Sequence, residues 1–521
     1  MSRGFLRSTS TVGGLTLLSR VSGLVRDMAY SHALGAGTLM DAFLVAFKIP
    51  NFLRRLTAEG AFSQGFVPVV SEYKVRRSED EVRGLVSGVA GTLGLGLFAL
   101  TAIGVVAAPL LVLLFAPGFR DDAAQFDLTV DMLRLTFPYI LFMSLVALAS
   151  GVLNTYGRFA VPAFTPVLLN AVMILFATLV APHAAEPGIA LAAGVFVAGL
   201  VQLLFQLPAL RNVRMLSWPR WDWGHEGVRR IGRLMLPGIF GSSVAQVSLL
   251  LDTLIASFLM AGSIAWMYYA DRLVEFPLGV FSIALATVIL PGLSSHHAAE
   301  DRGQFNATLD WALRMTTVIV TPAAVGLAML AGPLIATIFG YGEFGARDVR
   351  MASYALMAYS AGLVGFSMVK VLAPGYFARQ DTRTPVRVGV MALGANQLFN
   401  VAVVVPAYLS GFAAPHALLA LSTGLAAGFN SLMLYRGLRR SGTYQPSGRW
   451  RRLALQVVGA NAVMAAFLWW ASGDWAAWTA MPVSERVLRM AACVAAGGVL
   501  YFAMLALLGA RPSDFRGAKS R

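Results

Sequence analysis

Long apolar segments, separated by charged residues or by proline and glycine clusters, recur along the whole chain. About 20 helical residues suffice to cross the hydrocarbon core of a bilayer, and each segment reaches that length. The alternation of apolar and polar residues that a membrane barrel strand needs is absent, so the segments are predicted to be helices. Fourteen are predicted, near residues 11–34, 38–73, 84–116, 127–154, 159–181, 188–210, 231–259, 263–295, 306–339, 349–377, 386–408, 413–435, 453–472 and 487–510.

Two motifs recur at the same spacing and indicate an internal repeat. Val67-Pro68 at the end of the second segment is matched by Leu290-Pro291 at the end of the eighth, 223 positions later. Pro162 and Pro385, which open the fifth and eleventh segments, are also 223 positions apart. Six spans per repeat is an even number, so the two repeats are expected to run parallel through the membrane.

The fold class that follows is an all-α polytopic membrane protein with fourteen transmembrane helices, arranged as two parallel six-helix lobes and a C-terminal pair. The expected domains are an N-lobe at 1–225, a C-lobe at 226–445, and the last two helices with a cytoplasmic tail at 446–521.

Composition supports a membrane protein. The chain is 57% hydrophobic and only 13% charged, whereas soluble domains carry about 25% charged residues. Cys493 is the only cysteine, which excludes a disulfide framework and thiolate metal sites.

The distribution of basic residues predicts the orientation. Of the 41 lysines and arginines, 27 fall in the N-terminal tail, the loops after even-numbered segments and the C-terminal tail. By the positive-inside rule both termini are therefore expected to be cytoplasmic. The net charge of +15 thus reports orientation, and no nucleic-acid partner is expected. The opposite loops hold five basic residues, Arg120, Arg347, Arg350, Arg486 and Arg489.

The first two segments contain more basic than acidic residues. A charge at mid-bilayer costs roughly 2.5–3.5 kcal/mol, so five facing lipid would cost about 12–18 kcal/mol. They are therefore expected to face a polar interior, and a basic interior implies an anionic cargo. The alternative is a set of internal ion pairs that only join helices, but three acids cannot neutralise five bases. The bases are Arg20, Arg26, Lys48, Arg54 and Arg55, and the acids are Asp27, Asp41 and Glu59.

Spacing places several of these charges on one face of the second segment. Asp41, Lys48 and Arg55 are seven residues apart, close to two helical turns. Pro50-Asn51 lies between them and is expected to kink the helix, as helices at transporter binding sites are often broken.

The second repeat holds fewer charges. Asp271, Arg272 and Glu275 lie close together in the eighth segment, and Asp252 stands alone in the seventh. Asn396 and Asn400, one turn apart in the eleventh, offer amide oxygens to a cation, although ordinary interhelical hydrogen bonding explains them equally.

Enzymatic chemistry finds no support in the sequence. A P-loop, a nucleotide fingerprint and a nucleophile elbow are all absent, so a transporter is expected and not an enzyme. A drug exporter for cationic compounds would need an acidic, aromatic cavity, and a scaffolding protein would have little use for buried bases.

Four stretches resemble a known family. They are residues 19–27 (SRVSGLVRD), 41–55 with FKIPNFLRR at its end, 58–68 (AEGAFSQGFVP) and 266–272 (WMYYADR). They are similar to the MurJ/MviN family of lipid II flippases, in the multidrug/oligosaccharidyl-lipid/polysaccharide exporter superfamily, and the resemblance extends over the whole chain.

The resemblance implies two six-helix lobes around a central cavity, with the last two helices forming a groove for a polyprenyl tail. It implies a flippase that moves lipid II, the undecaprenyl-diphosphate-linked peptidoglycan precursor, from the cytoplasmic to the periplasmic leaflet by alternating access. The alternative is an exporter of another lipid-linked oligosaccharide or of drugs. From the resemblance we expect a monomer of the bacterial inner membrane that works among membrane lipids, near the cell wall synthesis machinery, without a cofactor other than a sodium ion.

The residues expected to act fall into three groups. The expected substrate-binding residues are Arg20, Arg26, Arg54, Arg55 and Arg272; the gating and cavity residues are Asp27, Asp41, Lys48, Asn51, Glu59, Asp271 and Glu275; the sodium ligands are Asp252, Asn396 and Asn400.

Overall fold

The computed structural model describes residues 3–55 and 62–511, and within these ranges the side chains of residues 3–10, 63–64 and 236–246 are not described. The described residues are helical apart from short connections and contain no strand. The chain divides into two compact units, Met1–Ala265 and Trp266–Arg521.

The first unit holds ten helices within the described residues. They are α1 (Arg3–Leu34), α2 (Thr38–Arg54), α3 (Ser63–Arg76), α4 (Glu79–Val106), α5 (Ala108–Phe115), α6 (Ala123–Thr136), α7 (Tyr139–Thr155), α8 (Ala160–Leu175), α9 (Pro187–Asn212) and α10 (Glu226–Ser257).

The second unit holds the rest, and α11 begins in the last three residues of the first. They are α11 (Ser263–Pro277), α12 (Ile283–Ala298), α13 (Arg302–Met329), α14 (Ala331–Ile338), α15 (Ala346–Phe377), α16 (Arg383–Phe399), α17 (Val405–Leu409), α18 (Pro415–Arg440), α19 (Trp450–Ser472), α20 (Trp475–Ala480) and α21 (Val483–Leu507).

The prediction of an all-α, multi-pass membrane protein is confirmed. Among the described residues, eleven helical segments are long and apolar enough to cross a membrane. The three other predicted spans also fall on helices, namely α1, α2 with α3, and α10. Each of these three contains intramembrane charges, which lower its hydropathy.

The helices are more divided than the apolar pattern predicts. The third and ninth segments each contain a long helix followed by a short one, α4 with α5 and α13 with α14. Pro50, where a kink is expected, lies inside α2, which continues through it to Arg54.

The 223-residue offset of the proline motifs also relates the helix boundaries. The bounds of α10 follow those of α1 by 223 positions at both ends (226 − 3 and 257 − 34). The same offset relates α13 to α4 and α14 to α5 at both ends. π-helical turns follow α8 at Phe176–Val180 and α16 at Asn400–Val404, one position from that offset.

The two hydrophobic cores repeat in the same way. The core of the first unit contains Phe66, Val70, Val86, Leu148 and Leu153. The core of the second contains Ile289, Leu293, Leu309, Val371 and Tyr376, each 223 positions after its counterpart. Two cores built from equivalent positions support a duplicated six-helix lobe.

Helix α10 packs with the first unit although the repeat assigns it to the second. Arg230 near its start forms an ion pair with Glu72 of α3 at 2.9 Å. Gly65 of α3 lies so close that a Cβ there would meet the backbone oxygen of Ile231 at 3.2 Å. The first compact unit therefore includes α10 and extends to Ala265, while the lobe boundary at residue 225 stays a prediction.

A buried arginine organises the connection between the last two long helices. Arg486 is 8% exposed and donates hydrogen bonds to the carbonyl oxygens of Ala336, Gly340, Thr479 and Met481, at 2.9 to 3.1 Å. Two of these carbonyls lie at the C-terminal end of α14, where carbonyls lack helical partners and the helix dipole favours a cation. Arg486 thereby joins α14 to α20 and α21.

We expect Arg486→Lys to lower the thermal stability of the purified protein. Lysine keeps the charge but cannot reach four carbonyls with one ammonium group, and a buried carbonyl without a partner costs roughly 1–3 kcal/mol. Thermal unfolding in detergent, followed by intrinsic fluorescence, measures the effect. Arg350→Ala, at an exposed arginine of the same unit, serves as the control. Equal melting temperatures for Arg486→Lys and the native protein would contradict the role given to Arg486.

Candidate functional site: the intramembrane charges

Arg26 and Asp27 form a buried ion pair on α1. Nε and Nη2 of Arg26 donate to Oδ1 of Asp27 at 3.0 and 2.7 Å. Nη1 of Arg26 donates to Oδ1 of Asn170 on α8 at 3.1 Å, and the guanidinium lies 5.4 Å from the ring centroid of Tyr30. Asn170 also donates to the backbone oxygen of Ser19, at 3.0 Å. Arg26 is thus held in a fixed orientation where α1 packs on α8.

Asp41, in the first turn of α2, is 2% exposed and accepts hydrogen bonds from backbone groups. Its Oδ2 accepts from the N–H of Gly262 at 2.7 Å, and its Oδ1 accepts from the N–H of Ala265 at 2.8 Å. These N–H groups belong to the turn that leads into α11, where the first amides of a helix lack intrahelical partners. Gly262 has a φ of +94°, a conformation that glycine adopts without strain. Asp41, the predicted gating acid, therefore binds the N-terminal end of α11.

Lys48 and Arg54 of α2 contact uncharged polar groups. Nζ of Lys48 donates to Oγ1 of Thr253 on α10 at 3.1 Å. Nε of Arg54 donates to Oδ1 of Asn51, one helical turn earlier, at 2.8 Å. These two hydrogen bonds orient the cations.

Two of the remaining predicted residues of the first repeat are exposed, and one is not described. Arg20 on α1 and Arg55 after α2 are exposed. Glu59 lies outside the described residues.

In the second unit, the predicted substrate-binding residue Arg272 on α11 contacts an acidic and an aromatic side chain. Its Nη1 donates to Oε2 of Glu275 at 2.9 Å, and its Nη2 donates to the hydroxyl of Tyr268 at 3.3 Å. The guanidinium also lies 4.8 Å from the ring centroid of Tyr268, within the range of a cation–π interaction. The side chain of Arg272 remains 35% exposed, and Asp271 beside it is half-buried.

The residues proposed to bind sodium lie in both units. Asp252 is a buried residue of α10 in the first unit, and Asn396 and Asn400 are buried in the second, where Asn400 opens a π-helical turn. The amide oxygen of Asn396 already accepts a hydrogen bond from the hydroxyl of Ser422. A cation would have to compete with that bond, so the sodium site stays a prediction. The described residues contain no cluster of three or more histidine, cysteine, aspartate or glutamate side chains suited to a metal.

The sequence did not point to the uncharged partners. Asn170 is a single polar residue in an apolar span, which signals a buried contact but does not identify it. Thr253 follows Asp252 directly, and Tyr268 precedes Arg272 by one helical turn, a spacing that favours contact.

Comparison with known proteins gives one consistent result. The family model described as lipid II flippase MurJ matches residues 30–488. A probable lipid II flippase MurJ of Vibrio cholerae serotype O1 is 44% identical over 525 residues, covering 99% of both chains. The lipid II flippase MurJ of Burkholderia cenocepacia is 46% identical over 516 residues, covering 98% of both.

Solved structures agree on the fold. A lipid II flippase MurJ in an inward closed conformation matches with a TM-score of 0.79 at 24% identity, covering 95% of this chain and 98% of that one. An inward-facing multidrug resistance transporter of the MATE family matches with a TM-score of 0.61 at 15% identity, covering 83% and 98%. Both likenesses concern the fold alone. On the family model and the full-length relatives together, the chain belongs to the MurJ family of lipid II flippases.

Proposed function

We propose that this chain moves lipid II, the undecaprenyl-diphosphate-linked precursor of peptidoglycan, from the cytoplasmic to the periplasmic leaflet. Membership of the family supports the activity, because relatives that align over their full length are named lipid II flippases. The structural observation that supports it best is the way the intramembrane cations are held.

The charges of the first two spans do not cancel. Five bases are interleaved with three acids, of which Asp41 accepts from two backbone N–H groups, and a fourth acid at the end of the second span, Glu72, pairs with Arg230. Asp27 is paired with Arg26, and Lys48 and Arg54 donate hydrogen bonds to Thr253 and Asn51. An excess of oriented cations in membrane helices favours an anionic cargo.

A diphosphate suits this arrangement. Guanidinium groups stay charged, and their planar forks match phosphate oxygens bidentately, so arginine binds phosphate more specifically than lysine does. In our proposal Arg20, Arg54, Arg55 and Arg272 contact the diphosphate, and Asp271 and Glu275 compete with it for Arg272. The cycle is one of alternating access, in which cargo shifts the equilibrium only through contacts that differ between states.

The finer architecture belongs to the same proposal. The chain would cross the membrane fourteen times, with both termini in the cytoplasm, and would work as a monomer. Drug export is not favoured, because the likeness to MATE transporters concerns the fold and the intramembrane charges are mainly basic.

Arg272→Ala should reach the membrane in normal amounts and fail to flip lipid II. The loss of a charge-assisted hydrogen bond to phosphate costs about 1.5–3 kcal/mol, or roughly 10- to 150-fold in affinity. Arg272→Lys should recover only part of the activity, because it keeps the charge and loses the fork. Flipping is measured by the accessibility of lipid II at the outer leaflet, and protein amount by immunoblotting.

Arg302→Ala, at an exposed arginine of the same unit, is the matched control and should flip normally. If Arg272→Ala lowered the amount of protein and Arg272→Lys restored it fully, Arg272 would have a structural role only. Normal flipping by a normally expressed Arg272→Ala protein would remove Arg272 from the proposed site.

The charge of Arg54 can be tested without changing Arg54. Asn51→Asp would place a carboxylate where the amide oxygen now lies 2.8 Å from Nε of Arg54, and would neutralise that cation locally. We expect Asn51→Asp to reduce flipping more strongly than Asn51→Ala, which removes the hydrogen bond but leaves the charge. Equal activity of the two variants would show that the net charge at Arg54 does not matter for transport.

The orientation can be read from cysteine labelling. In a Cys493→Ala background, Pro219→Cys and Ala477→Cys each place one cysteine at an exposed position. In intact cells an impermeant maleimide should label Ala477→Cys, on the periplasmic side, and should reach Pro219→Cys only after lysis. Labelling of Pro219→Cys in intact cells would contradict the cytoplasmic assignment of both termini.

A further inference from the structure

Helix α13 carries a polar cluster near its start, separate from the intramembrane charges of the proposed site. Asp310 is 4% exposed and accepts from the hydroxyl of Tyr444 at 2.8 Å and from Nε1 of Trp450 at 2.7 Å. It also accepts from the hydroxyl of Ser447 at 2.9 Å and from the backbone N–H of the same residue at 3.3 Å. Uncharged donors thus already satisfy this carboxylate from several directions.

Two arginines line the cavity beside this cluster. Arg314, one turn after Asp310, has its Nε 3.0 Å from Oδ2 of that carboxylate. Arg449, at the start of α19, lines the same cavity of about 340 Å³, together with Asn306, Trp311 and Ser447. Two cations against one carboxylate leave this cavity with a net positive charge.

A second cavity, of about 280 Å³, shares Trp311 with the first and has an apolar lining. Val280, Phe281, Leu285, Val288, Met315 and Ile319 contribute most of that lining. Val280, Phe281 and Val288 are among the exposed hydrophobic residues, so the groove is open at the surface of its unit.

The dimensions match one leaflet of a membrane. Ten residues of α13 separate Asp310, in the charged cavity, from Val320, in the apolar one, which is about 15 Å of helix rise. Half of a hydrocarbon core is also about 15 Å. The charged end lies at the start of α13 and at the connection between α18 and α19, which the distribution of basic residues places on the cytoplasmic side.

We propose that the two cavities form one binding site for an anionic phospholipid of the cytoplasmic leaflet. Its phosphate contacts Arg314 and Arg449, and one acyl chain lies in the apolar groove between α12 and α13. The positive charge selects against a zwitterionic headgroup, and the apolar groove selects against free phosphate. The groove has the depth of one leaflet, which favours a bulk phospholipid over the longer polyprenyl chain of the cargo. The site does not depend on the proposed flipping activity.

Native mass spectrometry of the detergent-purified full chain, with added phosphatidylglycerol or phosphatidylcholine, tests this site. We expect the native protein to retain phosphatidylglycerol in preference, and Arg449→Gln to retain it about tenfold less, equivalent to ~1.4 kcal/mol. Arg449 is exposed and its side chain makes no capping hydrogen bond for α19, so the substitution should leave the fold intact. Arg451→Gln removes the same charge two residues later, at an exposed position outside the cavity lining, and should bind as the native protein does.

The apolar end is tested separately. Ala284→Phe fills the groove from an exposed lining position of α12 and should also weaken phosphatidylglycerol retention. Thr287→Phe, exposed on the same helix and outside the lining, should not.

Several results would overturn the proposal. Equal losses in Arg449→Gln and Arg451→Gln would indicate general surface charge, and equal retention of phosphatidylcholine would remove the selectivity. Displacement of the lipid by inorganic phosphate, with no effect of Ala284→Phe, would indicate a simple anion site. Displacement by lipid II at equal concentration would assign the groove to the cargo.

Discussion

A charged group in the hydrocarbon of a bilayer has no water to solvate it, and a backbone amide there has no partner outside its own helix. The first fact makes the charges of α1, α2, α10 and α11 informative, because each must find protein or cargo. The contacts show how this is done: Arg26 binds a carboxylate, Lys48 a hydroxyl, and Asp41 two backbone N–H groups. The second fact explains why Asp41 and Arg486 both bind the ends of helices, where backbone groups lack some of the partners that they have in a helix interior.

The need of each charged group for a partner in the protein also accounts for exceptions to the positive-inside rule. Five basic residues lie in the loops predicted to be periplasmic, and three of them have defined contacts. Arg486 binds four carbonyls, Arg489 donates to the carbonyl of Ala471 at 2.9 Å, and Arg347 lies 5.7 Å from a ring centroid of Trp266. These arginines have structural roles of their own and are poor indicators of topology.

The helical fold was predictable because hydropathy and helix-breaking residues both act locally. Within the described residues every predicted segment coincides with helix, and the proline motifs have the same offset as the two cores. The short helices α5, α14 and α20 were missed, because they lie inside or beside apolar runs that hydropathy alone does not divide. For the site, the sequence identified the charged residues but not their partners. Backbone N–H groups such as those of Gly262 and Ala265 leave no mark in a sequence, and Asn170 or Thr253 gain significance only from what lies beside them.

The packing of α10 has a consequence for the order in which the chain assembles. A chain made from its N-terminus completes the first repeat at about residue 225, but the first compact unit extends to Ala265. Until α10 is inserted, Glu72 lacks Arg230, and the carboxylate of Asp41 lacks the amides that follow α10. In the nascent first half, the face of α3 that later packs on α10 is therefore exposed, and the carboxylate of Asp41 lies in the membrane without these amides. Synthesis of one further helix satisfies both, so the seventh span completes the assembly of the first half before it serves the second.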